Sequence, residues 1–373
     1  MKKKQILFMV SNNSIIDPFL HSQLLDIYEG CKLFEQYFIF CGKEKENSLR
    51  YANIIDNGNS KNSFIRYCVF YKNLFKALYK NRKNEVTIHL RGFISGIIFF
   101  FLPKILKKQV KFVYDPRGAV IYSLEEKTPF IKKMRLLLRY IDRTLISESL
   151  FTIVESKKLK KLKIKLYPGT ESKYLLCYNS SSLNESNEIL DFNSSNEINL
   201  CYPGSINHWH DIDEIHRVFN HLVKILNHDI INIYILTKND NKALIEKKFN
   251  ENSKYNLTVN FVPYHLLDQE LEKMDICVSV VKPTKSTVIT SPIKIADFVI
   301  KNKKFILNRG IGDFDDFFDI KNSALLFDYG EELNFNLEDL IELNPSRNKE
   351  IQHYLKIDTN RENIIMNLEK LLK

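Results

Sequence analysis

The feature that most constrains the fold is the alternation of short apolar runs with longer stretches of helical pattern. Such runs recur through both halves of the chain, and helical segments separate them. Strands that alternate with helices form parallel sheets, because the chain must cross over before it starts the next strand in the same direction. The sequence therefore predicts an α/β protein with these strands: Gln5–Val10, Tyr37–Cys41, Val86–Leu90, Lys111–Tyr114, Phe151–Val154, Ile198–Tyr202, Ile231–Leu236, Leu257–Val262, Ile276–Val281 and Phe305–Leu307.

Length and one polar stretch divide the chain into two domains. A chain of 373 residues exceeds one ordinary core and fits two domains of about 150 to 200 residues each. The segments 179–187 and 193–196 consist mainly of Asn and Ser, which bury no core. We therefore predict domains over residues 1–180 and 181–373, each with its ligand crevice after the carboxyl ends of its strands.

The cysteines and the apolar runs indicate in which cellular compartment the protein lies. The six cysteines have neither zinc nor disulfide spacing, so we expect reduced core residues and no metal site. Lys2–Lys4 precede only five apolar residues, which indicates a first strand rather than a secretory leader. The longest apolar run, Phe93–Leu102, has ten residues where a membrane span takes about 20. We expect a cytoplasmic protein without a spanning helix.

Positive charge is concentrated in the first domain. Residues 1–180 contain 33 Lys or Arg and 15 Asp or Glu, whereas residues 181–373 contain 22 and 30. Such a basic half indicates a polyanionic partner, and an anionic membrane is favoured over nucleic acid because no recognition motif or stacking platform is present. A solvated basic face is the other interpretation. The candidate cations have helical spacing beside Phe99–Phe101 and Leu136–Leu138: Lys104, Lys107, Lys108, Lys132, Lys133, Arg135, Arg139 and Arg143.

The segment Thr290–Phe298 has the pattern of a helix start. Ser291 suits the N-cap and Pro292 the first helical position, which would leave amide groups pointing into the crevice, where a phosphate could bind. Lys294 and Asp297 are three residues apart, so the cation could neutralise a diphosphate while the carboxylate accepts ribose hydroxyls. A capped surface helix with a weak salt bridge is the alternative.

The first strand of the second domain ends in Tyr202-Pro203-Gly204-Ser205. Glycine at a strand end allows the backbone to approach a phosphate or a sugar closely, although an ordinary turn needs one as well. His208 and His210 follow two residues apart with no third ligand in sight, so we predict no metal there.

Two strand ends of the first domain each place an arginine before a glycine. They are His89-Leu90-Arg91-Gly92 and Asp115-Pro116-Arg117-Gly118. Arg117 could bind phosphate or an acidic acceptor, and His89 or Asp115 could orient a hydroxyl. Buried structural ion pairs at strand ends have the same sequence, so both interpretations stay open.

With these residues in view, the chain resembles glycosyltransferase family 4, a group of retaining enzymes of the GT-B fold that build bacterial surface polysaccharides such as capsule and lipopolysaccharide. The resemblance covers nearly the whole chain in order, and each matching piece is short. The pieces are Asp17–Phe19 with Ser22–Gln23, His89–Gly92, Asp115–Gly118, Phe151–Ser156, Tyr202–Ser205, Val259–Tyr264 and Ser291–Lys294.

The resemblance implies two Rossmann-like domains whose parallel sheets face a central cleft, with the C-terminal helix able to pack back on the first domain. The second domain would hold a nucleotide-sugar donor, with the base near Val262 and Tyr264, and the first would receive a saccharide or lipid-linked acceptor. Further donor contacts would come from Gly204, Ser205, His210, Thr290, Ser291, Pro292 and Asp297.

Two departures from the family stand beside these implications. The family usually has two glutamates with seven residues between them, and this chain has Ile289 and Asp297 in their places. It also commonly has arginine and lysine after the glycine, where this chain has Ser205 and His210.

The resemblance further implies a metal-free transfer with retention of configuration at the sugar. Lys294 would stabilise charge on the departing diphosphate, with Lys282 and Lys285 as substitutes for the missing pair and no covalent nucleophile. The protein would lie on the inner face of the cytoplasmic membrane. A nucleotide-sugar epimerase of the same fold and a non-catalytic binding protein are the alternatives, and the sequence does not indicate an oligomeric state.

Overall fold

A computed structural model describes residues 4–12, 21–40, 53–55, 62–186, 196–226, 228–249 and 254–372. The chain divides into two compact units. Unit 1 comprises Met1–Tyr178 together with Ile357–Lys373, and unit 2 comprises Asn179–Lys356. The division therefore falls two residues before the predicted boundary, and the end of the chain returns to unit 1.

Unit 1 is built on a seven-stranded sheet in the order β3-β2-β1-β4-β5-β6-β7, in which every pair is parallel. The strands are β1 Gln5–Ser11, β2 Glu35–Phe40, β3 Asn53–Ile55, β4 Glu85–Arg91, β5 Val110–Asp115, β6 Thr152–Val154 and β7 Tyr174–Leu176. A π-helical turn, His21–Leu25, and a 3₁₀ turn, Glu171–Lys173, accompany the helices. The helices are α1 Asp26–Tyr28, α2 Ser63–Lys80, α3 Phe93–Phe100, α4 Lys104–Lys107, α5 Val120–Lys127, α6 Pro129–Glu148 and α7 Lys157–Leu166.

Unit 2 has a six-stranded parallel sheet in the order β10-β9-β8-β11-β12-β13. Its strands are β8 Glu197–Pro203, β9 Ile230–Leu236, β10 Asn256–Asn260, β11 Ile276–Ser279, β12 Lys304–Asn308 and β13 Leu325–Phe327. Two 3₁₀ turns are Asn239–Asn241 and Pro345–Asn348. The helices are α8 Ile212–Leu226, α9 Lys242–Phe249, α10 Tyr264–Glu272, α11 Ile293–Ile300, α12 Asp315–Lys321, α13 Leu337–Glu342 and α14 Lys349–Leu355; helix α15, Ile357–Leu372, belongs to unit 1.

The central strands of both sheets are buried on both faces, which is why they are almost continuously apolar. In β1 the residues from Ile6 to Val10 are at most 2% exposed, and in β11 Ile276–Val278 are fully buried. In each unit the first strand of the unit lies in the middle of its sheet, so the chain winds outward in both directions. The carboxyl ends of the central strands therefore meet at one edge, where loops can form a site.

All ten predicted strands are present, with ends that differ by one or two residues. Strands β10 and β11 end at Asn260 and Ser279, two residues before the predicted ends. The sequence missed β3, β7 and β13, which have three residues each. Three residues cannot show a period, so an apolar pattern does not identify them.

The polar segment predicted as the domain junction is partly folded onto unit 2. Asn179 and Ser181 are buried, and Ser181 N donates to Leu355 O at 2.9 Å. Residues 187–195 of the same segment lie outside the described residues, as does the predicted family segment Asp17–Phe19. The described part of the junction is therefore polar because its side chains form specific hydrogen bonds, from Asn179 to Ser291 O and from Ser181 to Asp297.

Candidate functional site

Two of the predicted site residues are in direct contact at the carboxyl edge of the unit 2 sheet. Gly204, which follows β8, donates its amide to Leu236 O at the end of β9 (2.9 Å). The Lys294 side chain, from the first turn of α11, lies directly against this glycine. A Cβ on Gly204 would stand 2.4 Å from Lys294 Cε and 2.6 Å from Nζ, so only glycine leaves room for the lysine.

The amine of Lys294 is enclosed without a counter-ion. The side chain is half-buried as a whole, but Nζ is shielded from solvent and has no hydrogen-bond partner among the described residues. Nζ lies 3.9 Å from the ring centroid of Tyr202, over the face of the ring, where a charged amine gains a cation–π contact. Burial lowers the pKa of Lys294 to about 7. Because an anion would supply both a counter-ion and hydrogen-bond acceptors to this buried amine, the site favours an anionic ligand.

His210, on the loop after β8, lies close enough to Lys294 for the charge of the lysine to affect its pKa. Its Nδ1 lies 3.1 Å from Asn207 Oδ1, and the same asparagine donates to Ser205 Oγ at 3.0 Å. Burial, followed by the charges of Lys294 and His208, lowers the pKa of His210 to about 2. The imidazole is therefore neutral near pH 7 and can offer a hydrogen bond but no charge.

The start of α11 is better suited to an anion than the start of α8, the helix that follows β8. The first turn of α8 carries Asp213 and Glu214, and Glu214 accepts from Gly330 N at 2.9 Å. The first turn of α11 has no acidic residue and no side-chain cap. Because the amides and dipole of a helix start attract negative charge, α11 presents the favourable end beside Lys294.

The structure corrects the predicted start of α11 and shows the surroundings of Asp297. The helix begins at Ile293 with Pro292 in the cap position, and Ser291 makes no cap. Asp297 is only 4% exposed, and its Oδ1 accepts from Ser181 Oγ at 2.6 Å. Residues three apart on a helix differ in direction by about 60°, which is enough to put Asp297 on the buried side while Lys294 lies at the edge. Asp297 therefore links α11 to the first residues of unit 2, and its contact with a ribose stays a prediction.

The other predicted donor contacts mainly hold loops together. Thr290 Oγ1 donates to Thr287 O at 2.8 Å, and Ser291 O accepts from Asn179 Nδ2. The Tyr264 hydroxyl lies 3.0 Å from Ser182 Oγ, while Val262 and the Tyr264 ring are half-buried after β10. Ser205 is exposed at the beginning of the loop after β8.

In unit 1 the predicted residues form a buried network around one carboxylate. Asp115 Oδ2 lies 2.9 Å from Arg117 Nη2, 3.5 Å from Arg91 Nη1 and 3.3 Å from His89 Nε2. The side chains of His89 and Asp115 are 0% and 1% exposed, whereas that of Arg117 is 18% exposed. The burial of His89 and Asp115 favours the structural interpretation for these two residues.

Hydrogen bonds assign the proton of His89. The hydroxyl of Tyr28 lies 2.8 Å from His89 Nδ1 and can donate to it, so Nε2 carries the hydrogen that points to Asp115. Burial lowers the pKa of His89, which keeps the ring neutral. Burial alone would raise the pKa of Asp115, but Arg117, His89 and Arg91 together hold it below its usual range. The network therefore carries one negative and two positive charges.

The predicted basic surface of unit 1 also exposes apolar side chains. On α6, Leu138, Ile141 and Leu145 face the core, yet Leu136 is 81% and Tyr140 61% exposed. Phe100, at the end of α3, contacts the Tyr140 ring at 6.2 Å between centroids, and Lys107 Nζ lies 5.1 Å from the Phe100 ring. We use the name aromatic ridge for the apolar side chains that α6, α4 and the end of α3 expose. Its exposed members are Phe101, Ile105, Phe130, Leu136, Leu137 and Tyr140.

Two negative findings apply to the part of the chain that the structure describes. No helix there combines the length and the apolar character that a bilayer crossing demands. No group of three or more His, Cys, Asp or Glu residues there could hold a metal ion.

Neither a protein-family model nor a curated protein matches the sequence. Solved structures do match over the whole chain. The lipopolysaccharide outer core galactosyltransferase WaaB is 11% identical, with a TM-score of 0.64 over 98% of this chain and 99% of that one. HepE of Anabaena, in complex with UDP, is 11% identical with a TM-score of 0.65 over 98% and 100%. The UDP-GlcNAc 2-epimerase of Neisseria meningitidis is 11% identical with a TM-score of 0.57 over 98% and 100%. The protein therefore has the GT-B fold.

Proposed function

We propose that the protein is a glycosyltransferase that moves a sugar from a nucleoside-diphosphate donor, held in unit 2, to a saccharide or lipid-linked acceptor in the synthesis of a bacterial surface polysaccharide. The observation that carries the proposal is the buried, unpartnered Nζ of Lys294 beside Gly204 and the uncapped start of α11. A diphosphate supplies the missing negative charge and accepts hydrogen bonds from the amides. The similar structures add support, since WaaB is named a galactosyltransferase and HepE holds UDP.

In this reaction the diphosphate is the leaving group, and negative charge grows on it as the bond to the sugar breaks. Lys294 and the first amides of α11 would stabilise that charge, so no metal would be needed. Lys282 and Lys285, exposed on the loop after β11, would add positive potential. We further propose retention at the anomeric carbon, with the leaving phosphate assisting removal of the acceptor proton and without a covalent nucleophile.

We assign the acceptor to unit 1, with Arg117 as the group that meets it. The Arg117 side chain is 18% exposed, while Asp115, which the neutral His89 contacts in turn, holds the guanidinium from the buried side. We accordingly propose Arg117 as an acceptor contact and the other two as positioning residues. The aromatic ridge would attach unit 1 to the inner face of the cytoplasmic membrane.

Binding of nucleotide sugars tests the donor proposal directly. UDP-, GDP-, ADP- and dTDP-sugars would be screened for thermal stabilisation, and Trp209, the one tryptophan of the chain, would report binding by fluorescence. Lys294→Met should weaken the best ligand by roughly 10- to 150-fold, the loss expected for a charge-assisted hydrogen bond. Lys273→Met, an exposed lysine of the same unit, should leave affinity unchanged. Equal affinity in wild type and Lys294→Met would contradict the placement.

A second candidate, a nucleotide-sugar epimerase, is favoured by the likeness to the UDP-GlcNAc 2-epimerase. Incubation with UDP-GlcNAc alone, followed by NMR, separates the two activities. An epimer that forms without acceptor identifies an epimerase, whereas UDP release that depends on added acceptor identifies a transferase. A chelator added to the transfer assay would test the metal-free step, which should keep its rate.

A further inference from the structure

Lys294 differs from the other buried lysines of unit 2 because nothing accepts a hydrogen bond from its amine. Lys301 Nζ lies 2.9 Å from Asp268 and 2.8 Å from Glu272. Lys303 Nζ donates to Glu272 O at 2.9 Å, and Lys304 Nζ to Leu340 O at 2.7 Å. Among the described residues Lys294 Nζ has no such acceptor and rests against the Tyr202 ring. A permanent charge there would be desolvated with only the face of the Tyr202 ring to offset the cost.

Three carboxylates of unit 2 that follow Lys294 in sequence have partners other than its amine. On its own helix, Asp297 is bonded to Ser181. On helix α12, Asp315 accepts from Gly310 N, and Asp319 pairs with Arg309.

The remaining titratable groups near the amine supply no negative charge near pH 7. Strand β8 presents Cys201 and Tyr202, and burial raises the pKa of both above the physiological range. The loop after β8 presents His208 and His210, and the charge of His208 lowers the pKa of His210. The loop after β11 carries the cations Lys282 and Lys285.

We propose that at mildly alkaline pH the site takes up a proton together with the diphosphate of its donor, so that Lys294 is there a neutral amine in the empty site and an ammonium in the occupied one. The inference rests on the proposed function, because the anion is the donor's diphosphate. The step is a plain protonation: solvent supplies one proton, the amine lone pair accepts it, and the new N–H bonds point at phosphate oxygens. The anion thereby provides the counter-ion that the described residues do not supply to Lys294.

The titration of the surrounding groups agrees with this geometry. Burial brings the pKa of Lys294 to about 7, while His210, at about 2, stays neutral and takes no part. Affinity should therefore be flat below about pH 7 and fall by about tenfold for each pH unit above it. Burial also raises the pKa of Asp297 to about 7, so Asp297→Asn is needed to separate the two groups.

The empty state is tested without any ligand. The full chain would be labelled with ¹³C at lysine Cε, and the signal of Lys294 identified by its loss in Lys294→Met. We expect this signal to titrate near pH 7 in wild type and in Asp297→Asn. A titration near 10.4, the value of an unperturbed lysine, would overturn the inference whether or not a nucleotide binds.

The occupied state is tested by calorimetry with UDP-glucose, whose diphosphate diester does not titrate between pH 6 and 9. Binding at pH 8 would be measured in two buffers with different heats of ionisation. We expect close to one proton taken up at pH 8 and little at pH 6, in wild type and in Asp297→Asn. Tight binding with no proton uptake at pH 8 would overturn the inference and leave the proposed function intact. Absence of binding by any nucleotide sugar would instead overturn the proposed function.

Discussion

At the scale of single residues, Gly204 is required for two separate reasons. Its φ of 143° is one that L residues rarely adopt, and the space its side chain would occupy is filled by Lys294. An alanine methyl would collide with the flexible end of the lysine, which would give way more readily than the backbone. Any side chain at position 204 would therefore displace the Lys294 amine from its position over the Tyr202 ring.

We predict that Gly204→Ala lowers nucleotide-sugar affinity by at least tenfold, close to the effect of Lys294→Met, because it displaces the same amine. Gly330→Ala is the matched control: its φ is 78°, but no atom lies within 4 Å of the added methyl. The control should lose stability through backbone strain and keep its affinity. Titration by Trp209 fluorescence would measure both, and equal losses of affinity in the two variants would contradict this account.

Asp297 gives a prediction about stability and pH. Its pKa is raised from 3.8 to about 7, chiefly by burial, so its protonated form stabilises the fold below about pH 4 and that contribution is lost as pH rises through 7. Asp297→Asn removes the titration. The difference in Tm between the variant and wild type should therefore shift in favour of the variant by at least about 2 °C from pH 5 to pH 8. This is the shift expected for about 1 kcal/mol.

Glu338→Gln, an exposed carboxylate of unit 2, is the control for this measurement. Its difference from wild type should stay constant over the same pH range. A difference for Asp297→Asn that is equally constant would refute the buried titration.

The site itself was predictable at Lys294 and Gly204, because a glycine after a strand and a lysine at a helix start follow from chain order alone. The role of Tyr202 was not, since the residue lies within a strand and a cation–π contact depends on which face of β8 the lysine crosses. The burial of Asp297 was not predictable for the same kind of reason. Helical spacing relates it to Lys294, but only packing against Ser181, more than a hundred residues earlier, decides which side is buried.

At the scale of elements, apolar periodicity identified the long strands and overlooked the short ones. Strand β8 has seven residues, and its apolar run can be recognised from the sequence by itself. Strand β13 has only three residues, Leu325–Phe327, and is recognised by its pairing with β12. Helix α6 is a different case. It is apolar on two sides, because one side packs in unit 1 and the other forms much of the aromatic ridge.

The aromatic ridge leads to a prediction about membranes. Liposomes that contain anionic lipid should bind the protein, and binding should weaken as sodium chloride rises from 50 to 500 mM because salt screens the cations. The double variant Phe101→Ser, Leu136→Ser should lower binding at least tenfold, since both exposed side chains would enter the lipid surface. Sedimentation measures the bound fraction.

Ile320→Ser controls for the loss of an exposed apolar side chain, because Ile320 is 79% exposed in unit 2. Its binding should equal that of wild type. Binding that resists salt, or that is unchanged in the double variant, would remove the ridge from the membrane proposal.

At the scale of the whole molecule, unit 1 is assembled from two distant parts of the chain. Helix α15 follows all of unit 2 in sequence, yet Ile364 and Leu368 are buried in the same core as Leu7, Tyr28 and Phe38. Arg361 donates twice to Asp26 O, at 3.0 and 2.7 Å, and Asn360 donates to Tyr178 O at 2.7 Å. Periodicity alone cannot reveal such an arrangement, because an amphipathic helix at a chain end has the same pattern whichever core it joins; only the family resemblance implied it.

The stability of unit 1 should therefore depend on residues at the far end of the chain. Leu368→Ala, which empties a fully buried position, should destabilise unit 1 by about 2 to 5 kcal/mol, whereas Met366→Ala, at a position 58% exposed, should change it by less than about 0.5 kcal/mol. Hydrogen exchange read by mass spectrometry can follow β1, β4 and β5 separately from unit 2. Trp209 lies in unit 2, so its emission should report an unchanged unfolding midpoint in both variants. Loss of protection in β8 and β11 instead of the unit 1 strands would show that α15 supports the other unit.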